Sequence, residues 1–429
     1  MDFGGEVCKS KVDKNERAIQ LIAYSSTEGF NVTVEGKEFI KSLKGKLGII
    51  AIAGRYRTGK SFLLNRVIMG RLEGGFGVGS TINACTKGIW VWGKPTHIKA
   101  HNGEEFDVLI MDTEGIGAID EDQNHDTRIF LLATLLSSLL IYNSIGTIDE
   151  NALQNISLIV NMSRQLQVRA HSSGNTDPEE LKSYFPSFLW VLRDFALRLT
   201  DLQQNPITPK QYLENSLLPQ KGSSDSTEMK NCIRRVIASV FSERDCFPLV
   251  RPLEDEKAIQ SLQSVPDENL RPEFLDQIKS LRMKVSKKVR PKKLNGSYIT
   301  GEMLLELCES YTKAFNTGGV PCIESAWNYV CRSQCQKTIN ELLAKYQSIV
   351  HKCAEDSSYD IAKVKQLHKE LKPTLLKEFK ELSVREFVSD YEETMNKLIA
   401  EKYKEIKETC NKKLTVILNN KCRMNIKPI

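Results

Sequence analysis

Residues 54–61, with the sequence GRYRTGKS, have the residue types and the spacing of a phosphate-binding loop. They match the Walker A pattern G-x-x-x-x-G-K-S, which requires a strand before the loop and a helix after it. The apolar run Leu47–Ala53 precedes the loop, and residues 62–69 can continue it as a helix. We therefore predict that this loop wraps around the phosphates of a nucleotide.

Separate groups in the loop are expected to hold the phosphates and a magnesium ion. Gly54 and Gly59 let the backbone approach phosphate oxygens, whose charge is met by main-chain N–H groups and the helix N-terminus. Lys60 reaches the β- and γ-phosphates, and Ser61 offers its hydroxyl to Mg²⁺.

Two arginines of the loop could serve as an arginine finger supplied in cis. The guanidinium of Arg57 can bend onto the phosphates and neutralise charge in the transition state, which raises turnover by about 10³-fold or more. Arg55 lies close by and could take this role or point to solvent.

A carboxylate farther along the chain completes the expected metal site. Asp112 opens the run D-T-E-G directly after the apolar residues 108–111, which is the Walker B arrangement that holds Mg²⁺. Gly115 leaves its N–H free to meet a γ-phosphate. Thr86 is the candidate threonine that closes the magnesium shell in a loop ordered by γ-phosphate. We predict Ser61, Thr86 and Asp112 as the magnesium ligands.

Base selection is assigned to the end of a later strand. Asp194 follows the run 188–193, FLWVLR, and its carboxylate can accept hydrogen bonds from N1–H and N2–H₂ of guanine. Adenine presents no such pair, so this residue would select GTP. The common N/T-K-x-D pattern is missing, and Arg193 is in place to stack along the base.

Composition limits the class of protein. The chain has 429 residues, of which 41% are hydrophobic, and this is enough for two or three domains with a sizeable core. Its 11 cysteines are scattered and the opening segment is polar, which favours a reducing cytoplasmic location over a disulfide scaffold. Cys331 and Cys335 lack partners at zinc-ligand spacing.

The sequence does not predict a nucleic-acid partner or a membrane span. The net charge of +6 is only mildly basic. The longest apolar run, 131–142, falls short of the ~18 residues of a span and is predicted as a helix end followed by a buried strand. Basic residues in 279–293 and in the tail leave contact with an anionic partner or lipid as an open alternative to a solvated face.

The pattern of apolar residues changes near residue 300. Before it, short apolar runs alternate with helical patterns, which predicts a mostly parallel sheet flanked by helices over 1–300. After it, apolar residues recur at helical spacing, which predicts an all-α domain over 301–429. The predicted strands, besides Leu47–Ala53, are 88–92, 106–111, 135–142, 188–192 and 247–250.

Taken together, these residues resemble the guanylate-binding protein family of dynamin-like large GTPases. Atlastins, the membrane-fusing relatives, share the RD feature at 193–194 but usually carry transmembrane segments. Residues 364–386 look like the start of the family's helical middle domain. The segments that carry the resemblance are 54–61, 79–92 (GSTINACTKGIWVW), 111–117 (MDTEGIG), 142–149 (YNSIGTID), 192–194 (LRD), 246–252 (CFPLVRP) and 318–326 (GGVPCIESA).

The resemblance implies an α/β P-loop GTPase domain over 1–300 that hydrolyses GTP with Mg²⁺ and forms a homodimer through its nucleotide face. It implies Arg57, Lys60, Thr86 and Glu114 as the catalytic residues, with Glu114 in the network around the attacking water. Arg251 falls in the region that caps the guanine. The implied nucleotide contacts are Gly54, Arg55, Tyr56, Arg57, Thr58, Gly59, Lys60, Ser61, Phe62, Val78, Gly79, Ser80, Thr86, Asp112, Thr113, Glu114, Gly115, Arg193, Asp194 and Arg251.

Two departures from the family pattern leave alternatives open. The serine that typically stands two residues before the switch threonine is Ala84 here, so a GTP-regulated switch or scaffold with little turnover is the alternative function. The helical part, which ends at Ile429, is expected to be truncated relative to the family. An ATPase or nucleotide kinase is disfavoured by Asp194 and by the helical C-terminal region.

Overall fold

The computed structural model describes residues 16–72, 74–77, 87–100, 103–117, 123–156, 184–222, 224–319, 321–383 and 387–425. The chain divides into two compact units, Met1–Ala326 and Trp327–Ile429. The strands are β1 (Ala18–Ser25), β2 (Gly29–Val32), β3 (Leu47–Ala53), β4 (Ile89–Trp92), β5 (Thr96–Lys99), β6 (Glu105–Thr113), β7 (Leu139–Ile145), β8 (Ser187–Arg193), β9 (Arg244–Leu249), β10 (Lys293–Leu294) and β11 (Ser297–Tyr298).

Helices flank these strands in the first unit and dominate the second. The helices are α1 (Val34–Ser42), α2 (Lys60–Phe62), α3 (Gln123–Leu136), α4 (Glu150–Asn155), α5 (Pro209–Ser216), α6 (Asp225–Val240), α7 (Glu256–Ile259), α8 (Pro272–Lys288), α9 (Gly301–Asn316), α10 (Ile323–Asp356), α11 (Ile361–Leu382) and α12 (Val388–Asn425).

A single nine-stranded sheet forms the centre of the first unit among the described residues. Its order is β2-β1-β4-β6-β3-β7-β8-β9, with β5 paired to β6. Five neighbouring strands, β6, β3, β7, β8 and β9, run parallel to one another. Strands β1, β2, β4 and β5 add antiparallel pairings at one side. The predicted α/β fold is confirmed, and its sheet is mixed.

The central strand explains where a ligand can bind. All seven residues of β3 (Leu47–Ala53) are buried, as expected of a strand covered by helices on both faces. From β3 the chain passes to β4 and β6 on one side and later to β7 on the other. Ligands of such sheets bind beyond the carboxyl ends of the strands where the order reverses. That position is the end of β3, where residues 54–61 begin.

The predicted strands all exist; β3 has the predicted ends, and the ends of the other strands are shifted. Residues 131–142 contain the end of α3 and the start of β7, as predicted, although β7 begins at Leu139 rather than at 135. Five strands were not predicted from the sequence: β1, β2, β5, β10 and β11. Two of these strands have four residues each, and β5 alternates between half-buried and exposed residues. Short strands at an edge carry little apolar signal.

The predicted helix after the phosphate-binding loop is confirmed in a modified form. Three α-helical residues are followed by a π-helix over Leu63–Ile68. Within it, the N–H of Met69 donates to the carbonyl of Leu64, five residues earlier, at 2.8 Å. Arg282 on α8 contacts this widened segment, since its Nε donates to the carbonyl of Val67 at 2.9 Å. Short π-helical segments of this kind are frequent at functional sites.

The predicted all-helical character after residue 300 is confirmed. Helix α9 packs against α1, α3 and β2 of the first unit. In the second unit, α10, α11 and α12 bury a shared apolar core that includes Tyr346, Phe379 and Ile399. The proposed boundary at 300 coincides with the start of α9 and stays a prediction. Among the described residues, no helix is both long and apolar enough to cross a membrane.

Candidate functional site

The loop between β3 and α2 is held against β7 on one side. Gly54 has a φ of 152°, and a Cβ at this position would lie 2.2 Å from the carbonyl oxygen of Asn143. Asn143 also donates from Nδ2 to the carbonyl of Thr58 at 2.8 Å. Gly59, with a φ of 77°, then turns the chain into α2. The two glycines of the motif are therefore required by a close approach and by a left-handed turn.

On its other side the loop pairs with the segment that follows β6. The N–H of Tyr56 donates to the carbonyl of Ile116 at 3.0 Å, and the N–H of Ile116 donates to the carbonyl of Gly54 at 3.1 Å. A Cβ on Gly115 would lie 2.4 Å from the Cα of Tyr56. The two predicted phosphate-contacting segments are thus joined by backbone hydrogen bonds.

A hydroxyl and a carboxylate meet beside this loop in the arrangement expected of a magnesium site. Ser61 donates from Oγ to Oδ2 of Asp112 at 2.5 Å. Asp112 is fully buried, and this burial raises its pKa to about 6 against the opposing effect of Lys60. Its Oδ1 is buried without a hydrogen-bond partner among the described residues. Because hard cations prefer oxygen ligands, these two side chains fit Mg²⁺.

Lys60 is buried at the base of the loop, with 7% of its surface exposed. Burial lowers its pKa, while the neighbouring Asp112 and Glu114 favour its charged form. Its Nζ donates to the carbonyl of Arg55 at 3.3 Å, which is long for a hydrogen bond to an ammonium group. A phosphate oxygen would be a stronger partner for this ammonium.

Glu114 is 3% exposed and is fixed by several contacts. Its Oε2 accepts from the N–H of Gly88 at 2.9 Å and lies 3.2 Å from Nε2 of His125. Its own N–H donates to the carbonyl of Gly88 at 2.9 Å. The adjacent Thr113 turns its hydroxyl into the sheet, where it donates to the carbonyl of Ile52 at 2.7 Å.

Arg193 and Asp194 occupy different environments at the end of β8. Arg193 is buried beneath the loop, with its guanidinium 5.5 Å from the ring centre of Phe62 and its Nη1 3.5 Å from the carbonyl of Gly59. This burial lowers its pKa. Asp194 is exposed and has a φ of 56°, a left-handed conformation that is uncommon outside glycine. The contacts of Arg193 support the loop, and its stacking on a base stays a prediction.

Arg57 and Arg55 are exposed on the outer side of the loop. Arg57 has a φ of 63°, and backbone strain of this kind clusters at functional sites. Both arginines line a cleft of about 520 Å³ that also contains Tyr142 and Asp149. Among the described residues, neither guanidinium forms an ion pair.

Five of the predicted nucleotide contacts have no contact with the loop among the described residues and stay predictions. Arg251 is partly exposed and lies 3.9 Å from a carboxylate oxygen of Glu256 on α7. Val78, Gly79, Ser80 and Thr86 lie outside the described residues, as does Ala84.

Three residues that contact the site were not predicted from the sequence. Asn143 clamps the loop, while Gly88 and His125 fix Glu114. Asn143 stands in the segment YNSIGTID directly after a tyrosine on β7, and this position was the available signal. The pairing of Gly88 and His125 with Glu114 depends on tertiary contacts, which no local pattern encodes.

Two family models match adjacent parts of the chain and together cover most of its length. Residues 27–294 match the guanylate-binding protein N-terminal domain. Residues 295–429 match the guanylate-binding protein C-terminal domain.

Individual relatives give the same result. Guanylate-binding protein 4 of Homo sapiens is 36% identical over 303 residues, which cover 70% of this chain and 46% of the relative. Guanylate-binding protein 1 of Homo sapiens is 32% identical over 347 residues, covering 78% and 56% respectively. Guanylate-binding protein 5 of Homo sapiens is 30% identical over 383 residues, covering 88% and 64%. The chain therefore spans between about half and two thirds of the length of these relatives.

Proposed function

The chain belongs to the guanylate-binding protein family, and from that premise we propose that it binds GTP with Mg²⁺ in the loop 54–61 and hydrolyses it. The observation that carries the proposal is the contact of Ser61 with the buried Asp112, directly below a glycine loop that also holds a buried lysine. A hydroxyl, a carboxylate and an ammonium converge there, as magnesium–triphosphate chemistry requires.

The roles follow from position and chemistry. Ser61 and Asp112 would hold the magnesium ion, with Thr86 as the third ligand proposed from the sequence. A magnesium ion held there would neutralise charge that develops on the phosphates. Lys60 leaves the carbonyl of Arg55 for a phosphate oxygen, and Gly115 offers its N–H to the γ-phosphate. Glu114 belongs to the network around the attacking water.

Arg57 acts as the internal arginine finger. It is exposed at the outer side of the loop and carries a strained backbone, so its side chain is free to fold over the phosphates. Asp194 reads the guanine edge, with Arg251 in the segment that covers the base. Arg193 supports the loop from below through Gly59 and Phe62.

GTP-dependent self-association completes the proposal. GTP must favour a dimer-competent conformation over the GDP state, since a ligand shifts an equilibrium only through differential affinity. We expect an isologous homodimer through the nucleotide face. Its test is the mass of the protein with GDP and with GDP–aluminium fluoride, together with specific activity as a function of protein concentration. A monomer under both conditions with constant specific activity would reject this part.

The proposed location is the reducing cytosol. The chain's 11 cysteines are scattered along the sequence and odd in number, which favours a reducing compartment over a disulfide scaffold. The proposed G domain covers 1–300 and the helical domain 301–429.

A GTP-regulated switch with little turnover remains the second candidate. It is favoured by Ala84, because the hydroxyl that would help to position water is missing there. Both candidates require the same nucleotide site, so binding is tested first.

Calorimetric titration with a non-hydrolysable GTP analogue tests the site. Lys60→Ala should weaken binding severely, because it removes the charge that meets the phosphates. The matched control is Lys44→Ala, an exposed lysine before β3. Equal affinity of Lys60→Ala and wild type would reject the assignment of the loop.

A further inference from the structure

His125 makes a contact with the candidate catalytic segment that the proposed roles do not use. It lies near the start of α3, is 3% exposed, and places Nε2 3.2 Å from Oε2 of Glu114. We propose that His125 is a positioning residue for GTP hydrolysis, which fixes the carboxylate of Glu114 in the orientation that serves the attacking water. This inference rests on the proposed function.

The contacts of Glu114 show how the orientation is set. Oε2 receives the N–H of Gly88 at 2.9 Å and faces Nε2 of His125. An ionised carboxylate only accepts hydrogen bonds, so the imidazole must donate from Nε2. Two donors on one oxygen stop the carboxylate from rotating. Among the described residues no side chain or N–H donates a hydrogen bond to Oε1. This second oxygen of the Glu114 carboxylate can therefore accept from a water molecule.

The imidazole is itself held in place by aromatic rings. The ring centre of Tyr24 lies 4.3 Å from that of His125, and Phe30 stacks on it at 5.4 Å with an interplanar angle of 10°. Rings on two neighbouring strands thus restrict the imidazole to one orientation. An orientation restricted in this way is what a positioning residue requires.

The strand that carries Phe30 is anchored by the last turn of α9. Asn316 accepts from the N–H of Phe30 at 2.8 Å and donates from Nδ2 to its carbonyl at 2.8 Å. A Cβ on Gly29 would lie 2.3 Å from Oδ1 of Asn316, so the fit leaves no space. Phe315 adds a further ring contact to Phe30 at 6.2 Å. An unbroken series of side-chain contacts therefore leads from α9 through Phe30 and His125 to Glu114.

A histidine that only fills the core would affect stability and leave turnover per folded molecule unchanged. The two roles are separated by replacing His125 with glutamine, asparagine and phenylalanine. Glutamine can place its amide N–H near the position of Nε2 and keep the bond to Glu114. Asparagine is too short to do so, and phenylalanine fills the space without a donor.

The measurements are kcat, KM and the affinity for a non-hydrolysable GTP analogue, on full-length chains checked for folding by circular dichroism. We expect H125N and H125F to lower kcat by about tenfold to a hundredfold, the scale of a displaced catalytic group, with nucleotide affinity close to wild type. H125Q should recover most of the turnover. The control is His97→Phe on β5, where the side chain is 63% exposed.

A double-mutant cycle with Glu114→Ala tests whether His125 acts through this carboxylate. We expect H125N to cause no further loss of kcat in the Glu114→Ala background, because the group that it orients is absent. Wild-type turnover in a folded H125N, or an equal further loss in the double mutant, would overturn the inference. Should H125F fail to fold, the contrast between H125N and H125Q still decides the question. A wild-type chain without GTP turnover would instead overturn the proposed function.

Discussion

Replacing Gly115 with alanine should separate the phosphate-binding loop from the segment that follows β6. The backbone of Gly115 lies outside the left-handed region, so alanine brings no conformational strain there. Its Cβ, however, would lie 2.4 Å from Cα and 2.5 Å from Cβ of Tyr56. These atoms belong to the loop itself, so the overlap can be relieved only if the loop moves.

The size of the effect follows from what that movement breaks. The bonds between Tyr56 and Ile116 and between Ile116 and Gly54, at 3.0 and 3.1 Å, both cross this contact. Losing two backbone hydrogen bonds lowers the free energy of unfolding by about 1–3 kcal/mol. The displaced loop must also return to its wild-type position to hold the nucleotide. If this costs about 1.4–2.8 kcal/mol of binding free energy, GTP affinity falls by about tenfold to a hundredfold.

Calorimetric titration with a GTP analogue and urea unfolding measure the two quantities. Gly45→Ala is the matched control, since its nearest neighbour would be Oδ2 of Asp107 at an ordinary 3.7 Å. The control should keep both affinity and unfolding midpoint. Wild-type affinity in Gly115→Ala would refute the reasoning, as would an equal loss in Gly45→Ala.

Three further predictions concern a buried charge, the base and the finger. Burial lowers the pKa of Lys292 to about 7, so above that pH the unfolded chain binds a proton that the folded one does not. The free energy of unfolding of wild type relative to Lys292→Met should therefore rise between pH 7.5 and 9 by up to about 1.4 kcal/mol per pH unit. Urea unfolding at several pH values measures this difference, and a difference that does not change with pH would contradict the prediction. Asp194→Asn should bind xanthosine triphosphate in preference to GTP, because the amide donates where the carboxylate accepted; competition binding measures this, and unchanged GTP preference would dismiss the role. Arg57→Ala should keep nucleotide affinity and lose turnover in single-turnover kinetics, and a loss seen instead in Arg55→Ala would reassign the finger.

The parts of the fold that the sequence predicts are those with strong local signals. Strand β3 is apolar along its whole length and is followed by a glycine motif, so its position and the loop after it were both predicted. Strand β5, with only four residues and two of them exposed, has no comparable pattern. The π-helix after α2 is contacted by Arg282 from the distant helix α8. Local residue patterns do not report such long-range contacts.

The same division holds within the candidate site. Ser61 and Asp112 were predicted as a pair because their motifs have fixed places relative to strands, and they are in contact in the structure. The position of Arg193 beneath Gly59 depends on β8 lying two strands away from β3. The contact of His125 with Glu114 requires α3 to pack below the end of β6. Motif spacing predicts the residues that bind a ligand. It does not predict the residues that hold those ligand-binding residues in place, because these come from distant parts of the chain.

The central claim is that this chain hydrolyses GTP at the loop 54–61. Chromatography of the nucleotides after incubation with the purified chain and Mg²⁺ tests it most directly, with EDTA and Lys60→Ala as parallel samples. We expect the wild type with Mg²⁺ to consume GTP, and we expect GTP to stay intact in both parallel samples. Intact GTP in the wild-type sample, or equal consumption by Lys60→Ala, would show that this chain does not hydrolyse GTP at the loop 54–61.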